Sequence, residues 1–91
     1  MASPTQTLAA GIAGASGYAG QELVRLLEGH PVLRAAVLQA RSEPFDPIDP
    51  VALASCDIVF LALPHGESRE LGEALLAAGT QVVDQIGRAH V

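Results

Sequence analysis

Short apolar segments alternate with amphipathic ones along this chain of 91 residues. Four apolar segments are predicted strands: residues 8–13, 33–39, 57–63 and 81–84. Three segments between them are predicted helices: residues 18–28, 50–54 and 68–78. Strands that alternate with helices in this way are typical of a parallel sheet with right-handed crossovers. The pattern therefore predicts an α/β fold of order β-α-β-short helix-β-α-β.

Composition agrees with a folded domain and narrows the classes of function. Hydrophobic residues make up 49% of the chain and charged residues 16%, which is typical of a globular protein. The formal net charge is −5 and every cation outside the histidines is an arginine, so no basic face for nucleic acid is indicated. The longest apolar run is too short to cross a membrane. A single cysteine, Cys56, fits a reducing cytoplasm, and no metal-ligand spacing is present.

A glycine-rich turn joins the first predicted strand to the first predicted helix. Gly14, Gly17 and Gly20 have the spacing G-x-x-G-x-x-G. A strand that turns directly into a helix brings amide donors and the positive end of the helix dipole together, and this arrangement binds a pyrophosphate. We expect Gly14 to permit the turn, Gly17 to let phosphates approach, and Gly20 to let helix and strand pack closely. Ser16 could add a hydroxyl donor. The alternative is an ordinary βα turn that binds nothing.

The end of the second predicted strand bears on the choice of nucleotide. NAD-binding domains commonly place an acidic residue there to bind the ribose, but here no acid precedes Glu43. Arg41 and Ser42 offer a guanidinium and a hydroxyl, both suited to a 2′-phosphate. The sequence therefore favours NADP over NAD. The alternative for Arg41 is a solvated surface side chain.

Leu63-Pro64-His65-Gly66 follows the third predicted strand, at the edge where parallel sheets bind ligands. A turn residue is the favoured role for His65, with general acid or base catalysis as the alternative. Cys56 is predicted to be structural, because the adjacent Asp57 raises the pKa of a thiol and so disfavours the nucleophilic thiolate.

Two stretches carry a family resemblance. Residues 11–23 read Gly-Ile-Ala-Gly-Ala-Ser-Gly-Tyr-Ala-Gly-Gln-Glu-Leu and are followed by Gly-His-Pro at 29–31. Residues 57–66 end in Ala-Leu-Pro-His-Gly, an element more specific than the glycine spacing. Together they resemble the N-terminal domain of the N-acetyl-gamma-glutamyl-phosphate reductases, over residues 8–84 with a gap.

The resemblance implies a Rossmann-type fold and an NADP(H)-dependent oxidoreductase of arginine biosynthesis. Such an enzyme reduces an acyl phosphate to a semialdehyde and releases phosphate, through a cysteine thioester and hydride transfer. The nucleophilic cysteine and histidine base of the family belong to a later domain without counterpart here, so no catalytic residue is assigned and the chain alone is expected to be inactive. The implied cofactor contacts are Gly14, Ala15, Ser16, Gly17, Tyr18, Ala19, Arg41, Ser42, Leu63, Pro64 and His65.

The resemblance also defines expectations for the ends of the chain and for one gap. Residues 8–84 are expected to form a partial NAD(P)-binding domain, and residues 1–7 a flexible N-terminus. Residues 85–91 are expected to be non-native, because the family continues differently after Asp84. A substantial segment that the family usually has after Glu43 is missing, so the wall beside the adenosine site is expected to differ.

Three other interpretations remain open. An aspartate-semialdehyde dehydrogenase uses similar chemistry and a similar loop, although Pro64-His65-Gly66 argues against it. A non-catalytic NADP-binding module of the extended short-chain dehydrogenase type shares the glycine spacing. A truncated or mis-assembled gene product would have no cellular role. For the full-length family we expect a cytoplasmic homo-oligomer that acts on a small molecule and binds neither nucleic acid nor membrane.

Overall fold

The structure is a computed structural model that describes residues 7–84, apart from the side chain of His65, and the backbone of residues 88–90. The expectations for residues 1–6, and for 85–87 and 91 of the predicted tail, lie outside the described residues.

A five-stranded sheet forms the centre of the fold. The strands are β1 (Leu8–Ala13), β2 (Leu33–Gln39), β3 (Ile58–Leu61), β4 (Gln81–Asp84) and β5 (Arg88–His90). The helices are α1 (Tyr18–Leu27), α2 (Pro50–Ala54) and α3 (His65–Ala77). The strand order is β2-β1-β3-β4-β5, in which the first four strands are parallel and β5 is antiparallel to β4. The predicted Rossmann-type α/β class and the order of its first seven elements are confirmed.

The main differences from the predicted elements lie at helix α3, strand β3 and strand β5. Helix α3 begins at His65 rather than Ser68, because the Ser68 N–H donates to the Pro64 carbonyl at 3.0 Å and closes a helical turn there. The expectation of a turn at His65 was therefore wrong. Strand β3 is shorter than the predicted residues 57–63, and just before it the Asp57 carboxylate accepts the Ala9 N–H at 2.7 Å. Strand β5 was not predicted.

The predicted helix ends are set by local chemistry. The Asp49 carboxylate accepts the Val51 N–H at 3.0 Å and begins α2, as the Asp-Pro pair predicts. Gly29 follows α1 with a φ of 73°, a left-handed conformation that stops the helix. Local chemistry therefore accounts for the start of α2 as predicted, and for the end of α1, which lies one residue before the predicted end at Glu28.

Helices cover both faces of the sheet. On one face α1 packs on β1, and its buried residues form a cluster with those of the strand: Ala10, Ile12, Ala15, Leu23 and Leu27. On the other face α2 and α3 pack on β1, β3 and β4 through a second cluster that includes Leu53, Val59, Leu61, Leu71, Leu75 and Val82. Burial on both sides accounts for the continuous apolar runs of β1 and β3.

Candidate nucleotide-binding site

The predicted site residues lie at one edge of the sheet. Strand β1 lies between β2 and β3, so the connections after β1 and β3 run to opposite sides of it. At such a switch point the loops separate and leave a crevice at the carboxyl ends of the strands. Gly14 follows β1, Arg41 lies just beyond β2, and Leu63 lies just beyond β3. The topology therefore brings together three segments that are distant in sequence.

The turn after β1 is fixed by backbone hydrogen bonds. The N–H groups of Gly14 and Ala15 both donate to the Gln39 carbonyl, at 2.8 and 3.0 Å. Gly14 has a φ of 96°, and a Cβ there would lie 2.5 Å from the Ala62 carbonyl oxygen, so only glycine fits. The predicted role of Gly14 in the tight turn is thus explained by its conformation and by its contact with the chain after β3.

The other two glycines of the motif differ in what surrounds them. A Cβ at Gly20 would lie 1.9 Å from the Gly14 carbonyl oxygen and 2.7 Å from the Ala15 Cα. Helix α1 therefore approaches the turn itself, rather than the strand alone. A Cβ at Gly17 would contact only the Gly14 carbonyl oxygen, at 3.7 Å. The space beside Gly17 is open, whereas the space beside Gly20 is closed.

The first turn of α1 presents N–H donors at this edge. The first intrahelical bond runs from the Gln21 N–H to the Gly17 carbonyl at 2.8 Å. The N–H groups of Ser16, Tyr18 and Ala19 find no acceptor within the described residues, and Gly17 at the N-cap supplies no capping side chain. Free amides at a positive helix end are a binding site for an anion.

The predicted side chains around this turn take different positions. Ser16 is half-buried, and its carbonyl accepts from the Gln21 side-chain amide at 2.8 Å. Tyr18 is 97% exposed, so its ring packs against nothing else in the described structure. Ala15 is fully buried in the cluster beneath α1. The turn therefore offers an incoming group backbone donors and an exposed ring, with little side-chain obstruction.

A cleft of about 650 Å³ lies between the chain after β2 and helix α3. Arg41, 69% exposed at its side chain, forms an ion pair across it with Glu67 in the first turn of α3. Its walls include both apolar and charged side chains, among them Ala40, Arg41, Phe45, Leu63, Glu67 and Leu71. Such a cleft can hold a flat, partly apolar group beside a charged one.

The remaining predicted residues border this cleft or lie near it. Ser42 is exposed, and its backbone carbonyl accepts the Phe45 N–H at 3.3 Å. Pro64 is exposed at the N-cap of α3, and the side chain of His65 lies outside the described residues. The structure thus brings Leu63 and Arg41 to one cleft and leaves Ser42 and Pro64 on the surface nearby.

Sequence reasoning missed Gln39, which connects the two parts of the site. This side chain is 2% exposed; its carbonyl oxygen accepts the Asp49 N–H at 2.8 Å and its amide donates to the Asp49 carbonyl at 3.4 Å. Its backbone carbonyl is the shared acceptor of the glycine turn. The one available signal was a polar residue at the end of an apolar segment, which does not reveal a partner ten residues away.

Cys56 lies in the core, away from this edge. Burial raises the pKa of the Cys56 thiol, the Asp57 carboxylate raises it further, and Arg34 opposes both. The thiolate is therefore disfavoured, as the sequence predicts. Among the side chains that the structure describes, no group of three or more histidine, cysteine or acidic residues could hold a metal ion. No helix in the described part of the chain is long and apolar enough to cross a membrane.

An open parallel sheet with a glycine turn, free helix amides and an adjoining cleft defines a nucleotide-binding domain of the Rossmann type. A family model described as "Semialdehyde dehydrogenase, NAD binding domain" matches residues 9–88. The chain belongs to this family of NAD-binding domains, whose members are parts of oxidoreductases.

Relatives named N-acetyl-gamma-glutamyl-phosphate reductase are similar to this chain. An N-acetyl-gamma-glutamyl-phosphate reductase of Azotobacter vinelandii is 42% identical over 96 residues, covering 85% of this chain and 28% of that protein. The chain therefore spans little more than a quarter of that relative. The aligned stretch also exceeds the 91 residues of this chain, so the relative has residues within it that this chain lacks.

Solved structures of two aspartate-semialdehyde dehydrogenases share the fold. A probable enzyme of this kind from Pseudomonas aeruginosa has a TM-score of 0.67 at 28% identity, covering 87% of this chain and 28% of that one. The enzyme of Candida albicans, solved with NADP, has a TM-score of 0.67 at 21% identity, covering 87% of this chain and 29% of that one. The second comparison concerns the fold alone.

Proposed function

We propose that this chain is the NADP-binding part of an N-acetyl-gamma-glutamyl-phosphate reductase. The whole enzyme would reduce N-acetyl-gamma-glutamyl phosphate to N-acetylglutamate semialdehyde, with release of phosphate, in arginine biosynthesis. The 42% identity to the Azotobacter reductase favours this branch over the aspartate type, for which the identity is 28%. An aspartate-type enzyme is the second candidate, because its structures share this fold.

The observation that carries the proposal is the set of free amides at the start of α1. A pyrophosphate is bound by several neighbouring N–H donors, and the N–H groups of Ser16, Tyr18 and Ala19 have no acceptor within the described residues and lie close in sequence to Gly17, beside which the space is open. The amides of Gly14 and Ala15 are already bonded to Gln39, so these two residues would shape the turn rather than donate. The residues present therefore fit a dinucleotide.

The adenosine half of the nucleotide would extend from the turn toward the cleft. Leu63 would contact the adenine, and Pro64 and His65 would border the nucleotide at the start of α3. Arg41 would bind the 2′-phosphate of NADP with help from the exposed Ser42 hydroxyl. When bound, NADPH supplies the hydride for reduction; the residues of this chain would hold and orient it.

The chain alone would bind cofactor without turnover. Its one cysteine, Cys56, lies in the core with a raised pKa and away from the cofactor edge, so it is unsuited to forming a thioester. We expect the native thiol to react slowly with iodoacetamide at neutral pH, and faster above the raised pKa or after unfolding. Rapid alkylation of the folded chain at pH 7 would contradict this assignment.

Titration of the 91-residue chain with NADPH tests the binding proposal. We expect saturable binding with the largest amide NMR shifts at residues 16–19, and smaller shifts around the cleft. Circular dichroism and the dispersion of the NMR spectrum establish that the chain is folded. A folded chain whose amide signals at residues 16–19 do not shift on addition of NADPH would overturn the proposal.

Substrate assays on the complete gene product separate the two candidate enzymes. The product is expected to reduce N-acetyl-gamma-glutamyl phosphate with NADPH and to leave aspartyl phosphate unreacted. The reverse preference would assign the chain to the aspartate type. The gene locus is also expected to encode a cysteine-bearing substrate domain after the cofactor domain, and a locus without one would favour a non-catalytic NADP-binding module.

We further propose that the whole enzyme is a cytoplasmic homo-oligomer. This proposal rests on the family resemblance and on the single buried thiol, which suits a reducing compartment. Fractionation and light scattering of the complete protein would test both parts of it.

A further inference from the structure

The Arg41 guanidinium, which is proposed to recognise the 2′-phosphate, already forms an ion pair with Glu67. Arg41 follows β2, and Glu67 lies in the first turn of α3, so the pair spans the cleft between two segments distant in sequence. The Glu67 side chain is 37% exposed and the Arg41 side chain 69%, so both remain accessible to a ligand. A phosphate that binds Arg41 must therefore compete with a carboxylate already in place.

The charges around Arg41 add to this competition. Glu43 and Glu70 line the same cleft as Glu67, whereas Arg41 is the only cation among its described lining residues. A 2′-phosphate would bring negative charge into a cleft that already carries three carboxylates. A ribose with a free 2′-hydroxyl brings no such charge and meets no such repulsion.

We propose that Glu67 is a specificity-determining residue that weakens the preference of Arg41 for 2′-phosphorylated nucleotides. This inference rests on the proposed function, since it concerns how the same site discriminates between NADPH and NADH. The native chain then binds NADPH and NADH with closer affinities than Arg41 alone would produce. Glu67 does so by its position opposite Arg41, without contact to the reacting part of the nucleotide.

The test compares Glu67→Gln with Glu70→Gln. Both variants remove one carboxylate from the same helix and the same cleft, but Glu67 alone is paired with Arg41. Glu67→Gln is expected to raise the affinity for NADPH up to about fivefold, as an exposed ion pair allows, and to leave NADH binding unchanged. Glu70→Gln is expected to change NADPH affinity by less than about twofold, because it removes only long-range repulsion.

A double-mutant cycle isolates the pair itself. In an Arg41→Gln background, Glu67→Gln is expected to have little effect on NADPH affinity, because the group it competes for has been removed. Titrations at low and high salt add a second readout, since the gain from Glu67→Gln should shrink as salt screens the charges. Circular dichroism establishes that each variant is folded. Folding is expected because the side chains of Arg41 and Glu67 are both partly exposed.

The outcomes separate this inference from the proposed function. If the native chain binds both nucleotides but Glu67→Gln and Glu70→Gln have equal effects, the role of Glu67 is wrong and the proposed function stands. The same holds if Glu67→Gln gives its full gain without Arg41. If the folded native chain binds neither NADPH nor NADH, the proposed function fails and this inference fails with it.

Discussion

The glycine turn and the Arg41 cleft form two halves of one candidate site, but they are built by different means. In the turn, backbone groups and their hydrogen bonds determine the shape, and a Cβ at Gly20 would overlap the Gly14 carbonyl oxygen. In the cleft, exposed side chains from distant segments determine the charge, through the pair of Arg41 and Glu67. The difference teaches that the proposed phosphate binding would depend on rigid backbone geometry, whereas the proposed choice between nucleotides would depend on exposed side chains.

Gly20→Val should cause the largest effect, because it disrupts the packing of the glycine turn. Its side chain would overlap backbone atoms at 1.9 Å, which cannot move without displacing the turn. We expect the free energy of unfolding to fall by about 3 kcal/mol and nucleotide binding to be lost. Urea denaturation measures the loss. The matched control is Gly66→Ala, where a Cβ meets nothing within 4 Å; stability equal to that control would contradict the packing argument.

Gln39→Leu should weaken the segment that begins α2, because the Gln39 side chain binds the Asp49 backbone, whereas its backbone carbonyl, which bonds the glycine turn, is kept. Leucine keeps the approximate volume but leaves the Asp49 backbone groups without the partners found at 2.8 and 3.4 Å. We expect a loss of about 1–3 kcal/mol in unfolding free energy. Hydrogen exchange should show faster exchange of the Asp49 amide. The exposed Gln81 serves as a control, since Gln81→Leu should cost much less. Unchanged protection at Asp49 would refute the connection.

Gly17→Ala separates binding from stability within the turn. The added methyl group would contact only one atom, at 3.7 Å, so the fold should tolerate it within about 0.5 kcal/mol. It would occupy the space where phosphates approach the helix amides. Affinity should fall about tenfold, or ~1.4 kcal/mol, for NADPH and NADH alike, because both carry the pyrophosphate. Calorimetric titration checks this, and a loss confined to NADPH would place the methyl group elsewhere in the bound complex.

Arg41→Gln should have the smallest effect and the most selective one. Because Arg41 is exposed and already paired, we expect NADPH affinity to fall only about fivefold, with NADH affinity and stability unchanged. The salt dependence of NADPH binding should also decrease. Arg69→Gln removes an equally exposed arginine on the outer part of α3 and is the control. Equal losses for both nucleotides would mean that Arg41 does not recognise the 2′-phosphate.

Much of the fold was predictable because its signals are local. The bounds of β1, β2, α2 and β4 agree with the structure, since apolar runs, the Asp49 cap and proline act within a few residues. The start of α3 was mispredicted because Pro64, His65 and Gly66 suggest a turn, yet the Pro64 carbonyl accepts the first helical bond from Ser68. Strand β5 was not predicted, because it is defined by its pairing with β4 and no local sequence pattern indicates that pairing.

The sequence by itself determined the glycine turn and the alternation of strands and helices, and it indicated the edge of the candidate site, because glycine conformation and hydrophobic periodicity are properties of neighbouring residues. Only the tertiary structure decided which residues meet across that edge. It brought Gln39 to Asp49 and to the turn, and Glu67 to Arg41. The physical reason is that a polar partner is chosen by distance in space, and the sheet order sets that distance.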